Sequence, residues 1–373
     1  MNELNDSHPL VSGHTSGAPL VRAIHGERAS RTPVWFMRQA GRSLPEYRAL
    51  RSGRDMIECC LTPDLAAEIT LQPVRRHGVD AAVFFSDIII PLSLAGVDVR
   101  LEPGRGPVFA EPVRTAADVA KLRREHPADR LRGALDPIRK AVELTVAELD
   151  ETPLIGFAGA PFTLAAYLVE GGPSKDQLRA RTLMHSDPET WAALLDWAAE
   201  LSGTFLEAQV RAGASAVQLF DSWAGGLSVA DYEAHVAAAS RKTLAPVRAI
   251  SYRDPQAEGY AAAPLPIPTI HFAVGSGHLL PSLAEAGGQA IGVDWRTPLD
   301  EANDALGGRF PLQGNIDPAY LAAPEAVLDA HVDDVLARGA AAPAHIVNLG
   351  HGVPPETDPD RLARIVERVH GVR

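Results

Sequence analysis

Cysteine is nearly missing from this 373-residue chain, and the two present, Cys59 and Cys60, are neighbours. Adjacent cysteines are poor disulfide partners, so a disulfide-held scaffold is excluded; the pair is expected on a helix as small packing residues, in a protein of the cytosol. No HxC, CxxC or HExxH spacing occurs, and on those patterns no zinc site is expected. A P-loop, a GxGxxG run and a GxSxG elbow are also absent, which argues against nucleoside triphosphates, dinucleotides and serine hydrolysis. Positive charge is in deficit: 35 Lys and Arg face 47 Asp and Glu, for a net charge of −12. A nucleic-acid or anionic-membrane partner is therefore not expected. Long apolar runs are lacking too. The longest, 81–95, is cut by Ser86, Asp87, Pro91 and Ser93 and is too short to span a bilayer. Residues 1–17 carry Glu3 and Asp6, without a basic start or an apolar core, so they do not read as a signal peptide and are expected to form a disordered tail.

What is present is a large globular domain, expected over 18–373. Apolar residues make up 46% and charged residues 22%, enough to bury a sizeable core, and 31 Gly and 30 Pro punctuate the chain. Eight short β-rich runs alternate with helical patterns: 34–37, 81–85, 154–157, 214–220, 269–273, 290–293, 310–312 and 346–348. Most are apolar throughout, as strands covered on both faces are. Alternating strand and helix imply parallel βα units, and eight units fit a single (β/α)8 TIM barrel with its active site at the C-terminal ends of the strands. A doubly wound open sheet is the alternative architecture. The Ala- and Pro-rich stretch 252–265 reads as a surface loop or insertion.

Against the acidic background, the window Arg31–Arg54 holds six arginines and a single acid, Glu46. Arg38 and Arg42 bracket Gln39, Ala40 and Gly41, a loop whose backbone can press close to a ligand. Planar guanidinium groups suit carboxylates, so this pocket points to a small anionic substrate. The other apolar runs stop at polar residues beside Gly, Pro or Ala: Ser86-Asp87, Gly159-Ala-Pro-Phe-Thr163 with Tyr167 a turn later, Asp221-Ser222-Trp223, Asp294-Trp295, Gln313-Gly-Asn-Ile-Asp317 and Gly350-His351-Gly352. Asp87, flanked by Phe84-Phe85 and Ile88-Ile89-Ile90, is either a turn aspartate or a carboxylate aimed at ligand N–H groups or a developing cation. His351 is equally readable as a strand-end cap or a ligand contact, Tyr167 as an ordinary helix residue, and Ser222 as a helix cap. Trp295 reads as core or wall.

Six segments in this order resemble the uroporphyrinogen decarboxylase family. They are Pro33–Arg48 (PVWFMRQAGRSLPEYR), Phe85–Ile88 (FSDI), Gly156–Leu164 (GFAGAPFTL) with Tyr167 and Glu170–Gly172, Gln218–Gly225 (QLFDSWAG), Gln313–Pro318 (QGNIDP) and Asn348–Gly352 (NLGHG). The resemblance runs from about Pro19 to the C-terminus; it departs at Ser43, where the family usually has tyrosine, and before Pro268, where the stretch is longer than usual. It implies a (β/α)8 barrel, a homodimer with facing clefts, no metal and no organic cofactor. The implied reaction removes carbon dioxide from the four acetate side chains of uroporphyrinogen III, giving coproporphyrinogen III. On this resemblance Asp87, Arg38 and Arg42 are the catalytic group. Arg38, Gln39, Ala40, Gly41, Arg42, Arg51, Asp87, Tyr167, Phe220, Ser222 and His351 bind substrate, Asp87 through the pyrrole N–H groups. Two rival activities on a related fold are a zinc-dependent corrinoid-protein methyltransferase and a non-catalytic tetrapyrrole-binding protein. The first needs a thiolate or imidazole set that Cys59-Cys60, with no histidine two residues before either, does not supply.

Overall fold

The computed structural model describes residues 3–102, 104–255 and 263–371. Seven strands form one parallel sheet in chain order: β1 (Ala82–Val83), β2 (Leu154–Gly159), β3 (Ala216–Asp221), β4 (Thr269–Ala273), β5 (Ala290–Gly292), β6 (Leu312–Gln313) and β7 (His345–Ile346). Helices intervene between successive strands, the longest being Pro188–Arg211 between β2 and β3. Their ends follow local chemistry. Asp187 accepts from the Thr190 N–H ahead of Pro188, Thr115 and Asp118 form a reciprocal cap on Ala116–Glu125, and Gly78 closes Pro63–His77 in the left-handed conformation. A hairpin, Val99–Glu102 with Gly106–Phe109, follows β1. Cys59 and Cys60 lie buried on the helix Met56–Leu61, and burial pushes both thiols above their ordinary pKa. Among the described residues no helix is long and apolar enough to cross a membrane.

The sheet is curled rather than flat. Three strand spacings, about 14 Å in a flat sheet, separate β3 from β6. Yet Gln313 on β6 donates its side-chain amide to Gln218 on β3 at 2.9 Å, and accepts from the Trp35 indole N–H at 3.0 Å. All three side chains are buried. Along β3, Gln218 shares the inner face with Ala216 and Phe220, while Val217 and Leu219 turn outward to the helices, the two-residue period of a strand.

The expected strand 34–37 is replaced by a single parallel bridge, Val34 to Val347. Its backbone donors explain why. The Val34 N–H goes to the Asp80 carboxylate, the Phe36 N–H to the Gln39 side chain and the Met37 N–H to Asn348 Oδ1, so only the Trp35 N–H is left for the Val347 carbonyl. The segment is nevertheless held on both flanks: Val347 N–H donates to the Pro33 carbonyl after β7, and Asp80 N–H donates to the Val34 carbonyl ahead of β1.

Two other expectations need restating. The N-terminal stretch expected as a disordered tail is, over residues 3–17, packed on the body. His8 caps the short helix Pro9–Ser12 through Nδ1 and donates from Nε2 to the Val210 carbonyl; Leu10 is buried, and Thr15 Oγ1 meets Ser215 Oγ at 2.8 Å. The sequence carries too little apolar content there to announce this, because one histidine and one leucine do the anchoring. Of the loop expected over 252–265, residues 256–262 lie outside the described residues; its ends pair antiparallel as Ser251–Tyr252 with Leu265–Pro266.

The turn after β3 depends on a close backbone approach. A Cβ on Gly225 would stand 2.1 Å from the Val274 carbonyl oxygen and 2.7 Å from the Gly275 backbone. Gly225→Ala is therefore expected to lower unfolding free energy by about 1–3 kcal/mol. Gly133→Ala, where nothing lies within 4 Å of the new methyl in the helix Ala128–Ala134, is expected to be neutral or to stabilise by up to about 1 kcal/mol. Denaturant titration of the two variants checks the contrast, and equal effects would contradict it.

Candidate active site

Beyond the bridge at Val34, Trp35 and Phe36 are fully buried and the chain turns through Met37 to Gly41. Gln39 is buried and shapes this turn: Oε1 accepts from the Phe36 N–H and Nε2 donates to the Ala81 carbonyl, both at 2.9 Å. With its amide committed, Gln39 offers a ligand only backbone, as Ala40 and Gly41 do. Arg38 and Arg42 both hold left-handed backbone conformations, φ 63° and 35°. For non-glycine residues such conformations cost about 1–3 kcal/mol each and persist only where the surroundings enforce them. Glycine makes the enforcement possible. A Cβ on Gly352 would lie 2.5 Å from Arg38 Cδ, so the stem of Arg38 occupies the space that a side chain after His351 would take. Tyr47, buried, packs against Gly41 and sets its ring edge-on to Phe85 at 5.7 Å, which ties the arginine loop to Ser86 and Asp87.

The charges divide cleanly. Glu46, the one acid of the arginine window, is taken bidentately by Arg76 at 2.7 and 2.8 Å. Arg31 turns away to the buried Asp80, which also meets His370. Among the described residues, Arg38 and Arg42 form no ion pair. Desolvation and then the neighbouring Arg38 push the Arg42 pKa below its ordinary value. Asp87 keeps some solvent access, yet the packing around it is dense, and desolvation raises its pKa above the ordinary carboxylate value against the pull of the Ile89 N–H, Arg38 and Arg42. Oδ1 accepts from the Ile89 N–H at 3.1 Å in an Asx turn, as a turn aspartate does, while the group also feels both arginines. Tyr167 belongs to the same electrostatic cluster: burial and then Asp87 push its phenol up to about 12. His351 faces Arg38, Arg42 and Arg296; partial burial and then Arg38 lower its pKa.

Of the remaining expected residues, Tyr167 is tied to this centre through Asp87 and Arg51 through a cavity shared with Arg42, while Phe220 and Ser222 stand at the end of β3. Tyr167 stacks on Trp223 with centroids 3.9 Å apart, next to Ser222. Phe220, partly exposed, meets Phe157 and Phe272 edge-on at 5.4 and 6.0 Å and closes the inner face of the sheet. Arg42 is shared by two open cavities. One, of about 300 Å³, is lined also by Trp295, Asp317, Pro318, His351 and Gly352. The other, of about 470 Å³, is lined also by Tyr47, Arg48, Arg51 and Arg54. Arg51 donates to the Tyr47 hydroxyl at 3.1 Å. Sequence reasoning left Arg48 and Arg54 unassigned although they lie in the same arginine window, and missed Arg296. Its guanidinium lies 3.8 Å over the Trp295 ring and pairs with the buried Asp294 at 2.5 Å.

One further buried group stands at the end of β3. Asp221 is wholly buried; Oδ1 accepts from the Thr163 hydroxyl at 2.8 Å, and among the described residues Oδ2 has no hydrogen-bond partner. Desolvation pushes its pKa up to about 7. The Thr163 hydroxyl in turn accepts from the Trp223 N–H, so Asp221 supports the turn carrying Ser222 and Trp223.

Comparison with known proteins fits this arrangement. The family described as uroporphyrinogen decarboxylase (URO-D) matches residues 15–372. The chain belongs to the uroporphyrinogen decarboxylase family. It is 62% identical over 371 residues to the uroporphyrinogen decarboxylase of Leifsonia xyli subsp. xyli, covering 99% of this chain and 98% of that one. It is 59% identical to the uroporphyrinogen decarboxylase of Arthrobacter sp. strain FB24, covering 97% and 99%. A methyltransferase from Methanosarcina mazei shares the fold, with a TM-score of 0.75 at 18% identity over 95% of this chain and 98% of that one. Within the uroporphyrinogen decarboxylase frame, the six motifs read from the sequence supply the arginine loop, Asp87 and the strand-end turns described above.

Asp221 has a folded pKa raised above its unfolded value, so its contribution to stability is full below the unfolded pKa of 3.8 and is lost as pH rises toward about 7. The penalty at neutral pH is on the order of 4 kcal/mol. Asp221→Asn removes this dependence. The stability difference between variant and parent is expected to shift toward the variant between pH 4 and about 7 and to level off above, as chemical denaturation across pH reads directly; a pH-independent difference would contradict the assignment.

Proposed function

We propose that this protein decarboxylates the four acetate side chains of uroporphyrinogen III to give coproporphyrinogen III, in tetrapyrrole biosynthesis. The observation that carries the reading is the pair of guanidinium groups, Arg38 and Arg42, without ion pairs of their own and flanking one densely packed carboxylate, Asp87. A flexible macrocycle with eight carboxylates outside and four pyrrole N–H donors inside matches that charge pattern: cations at the rim, one acceptor at the centre. Arg38 and Arg42 bind acetate and propionate groups, Arg51 extends the cationic rim, and Tyr167, Ser222 and His351 hold peripheral carboxylates. Phe220 and the backbone of Gln39, Ala40 and Gly41 form the wall.

The chemistry needs an electron sink. Protonation of the pyrrole carbon next to the one that bears the acetate makes the ring a cation. The C–CO2 bond then breaks, its electron pair flows into that ring, carbon dioxide leaves, and a proton delivered to the exocyclic carbon completes the methyl group as the ring carbon loses its own. Asp87, accepting pyrrole N–H groups, stabilises the cation. Preorganised charge of this kind in a site with little water is worth about 3–4 kcal/mol per group. In this reading the reaction needs neither metal nor organic cofactor. The family likeness and the two flanking hydrogen bonds of segment 33–37 support a closed eight-membered barrel with that segment as first stave. A single domain from about residue 18, a homodimer with facing clefts and a cytoplasmic location complete the proposal.

Purified protein, incubated without added cofactor with anaerobic uroporphyrinogen III, is expected to yield the four-carboxylate product; an unchanged eight-carboxylate porphyrinogen would overturn the function. Asp87→Asn keeps hydrogen-bond acceptance and removes the charge, and is expected to lower kcat about 100- to 1000-fold. In the parent, kcat/KM is expected to fall on the acid side with a pKa above the ordinary aspartate value, since Asp87 must be ionised and its pKa is raised. A near-parental rate for the variant would remove Asp87 from the mechanism.

A further inference from the structure

Outside the arginine pocket, on helices that flank the sheet, three side chains of metal-binding type converge. His185 stands near the end of the helix Leu178–Ser186; Asp231 and His235 lie one turn apart on the helix Val229–His235. One ligand atom from each of the three lies within 4.8 Å of the other two. His185 Nε2 is 3.8 Å from Asp231 Oδ1, and the two imidazoles meet edge-on, with centroids 5.8 Å apart at 87°. An ordinary surface ion pair accounts for His185 and Asp231 but leaves His235 unexplained. Most other histidines of the chain have a ring nitrogen in a hydrogen bond, as His8, His126, His271, His278 and His345 do; His185 and His235 have none among the described residues.

We propose that His185, Asp231 and His235 form a binding site for a divalent transition metal of the zinc class, which clips the helix Leu178–Ser186 to the helix Val229–His235. Two imidazoles and one carboxylate are the nitrogen–oxygen donor set that zinc, nickel and copper take, leaving at least one coordination position for water. Metal–ligand bonds of about 2.1 Å in a tetrahedron put donor atoms about 3.4 Å apart. The gap to be closed is therefore at most about 1.4 Å, within reach of side chains of which His185 is exposed and the other two half-buried. The spacing of Asp231 and His235 is the i, i+4 spacing that presents two side chains on one helix face. Helix Val229–His235 follows the Asp221-Ser222-Trp223 turn, so the clip would brace the segment leading from that turn while standing apart from the proposed decarboxylation chemistry.

The test uses the full chain, stripped with chelator and dialysed against zinc alone. One equivalent of zinc per chain and a rise in thermal midpoint with free zinc are expected for the parent. The double variant His185→Gln and His235→Gln, which leaves the Trp191 contact to the His235 carbonyl in place, is expected to bind at least tenfold more weakly and to lose the thermal shift, while decarboxylating at the parental rate. Cobalt added in place of zinc is expected to give the visible absorption of a low-symmetry nitrogen–oxygen site in the parent alone. Zinc retention, thermal shift and cobalt spectrum that are identical in parent and double variant would overturn the proposal. Because these readouts do not depend on turnover, they stand or fall separately from the assigned reaction.

Discussion

The site rests on a local charge imbalance that the fold creates and maintains. In a chain of net charge −12, Arg38 and Arg42 form no ion pair among the described residues, while the acids Glu46 and Asp80 are occupied elsewhere. Glu46 is held by Arg76 on the helix Pro63–His77, and Asp80 is surrounded by Arg31, His370 and the Val34 N–H. Were either acid free to swing toward the loop, it would compete with any anionic ligand for the guanidinium groups. The cluster is thus under mutual tension: desolvation lowers the Arg42 pKa and raises that of Asp87, and each group offsets part of the other's penalty. A polyanion entering such a site replaces lost hydration of the arginines with charge-assisted hydrogen bonds.

Maintaining that imbalance requires a loop that cannot relax, and the polar interior of the sheet supplies the rigidity. Segment 33–37 gives up a regular ladder because Asp80, Gln39 and Asn348 take its backbone donors. These are directional contacts, and they fix the turn at a single geometry in which Arg38 and Arg42 adopt left-handed backbone angles. Beneath it the chain Trp35–Gln313–Gln218 crosses the inner face and locks the loop to β6 and β3. A purely apolar filling would have packed as well, but it would not have fixed rotation of the loop about the strand axis.

The strand-end residues were legible in the sequence because each apolar run stops abruptly at a polar group beside a small residue, a pattern that survives without knowledge of tertiary contacts. Asp87 is the sharpest case: five neighbouring apolar residues make its carboxylate conspicuous, and the structure gives it the dense surroundings that those neighbours imply. What could not be read depends on partners from distant parts of the chain. The orphaned oxygen of Asp221 exists because Thr163, from a different strand end, serves only one side of the carboxylate. Gln39 reads as a ligand-facing amide between two arginines, and only the proximity of Ala81 turns it inward. Val34–Met37 has the composition of a strand, but side chains from 39, 80 and 348 intercept its ladder. The packed N-terminus escapes notice for the same reason, since the Val210 carbonyl that receives His8 lies two hundred residues away in sequence.

The scaffold alone does not choose the chemistry. A methyltransferase at 18% identity overlays on 95% of this chain, so helix order and sheet curvature are compatible with more than one reaction. What distinguishes this chain is the content of the turns at the strand ends, and their tolerance for strain depends on glycine at two contacts. At Gly352 a side chain would collide with the stem of Arg38, and at Gly350 a Cβ would stand 2.2 Å from the Trp295 backbone nitrogen. These two glycines flank His351, so the segment that presents the histidine is also the segment that admits Arg38 on one side and Trp295 on the other. Position and identity are therefore coupled: the histidine can face Arg38, Arg42 and Arg296 only because its neighbours have no side chains, and Arg38 can hold its uncommon backbone angle only because Gly352 leaves the room its stem needs.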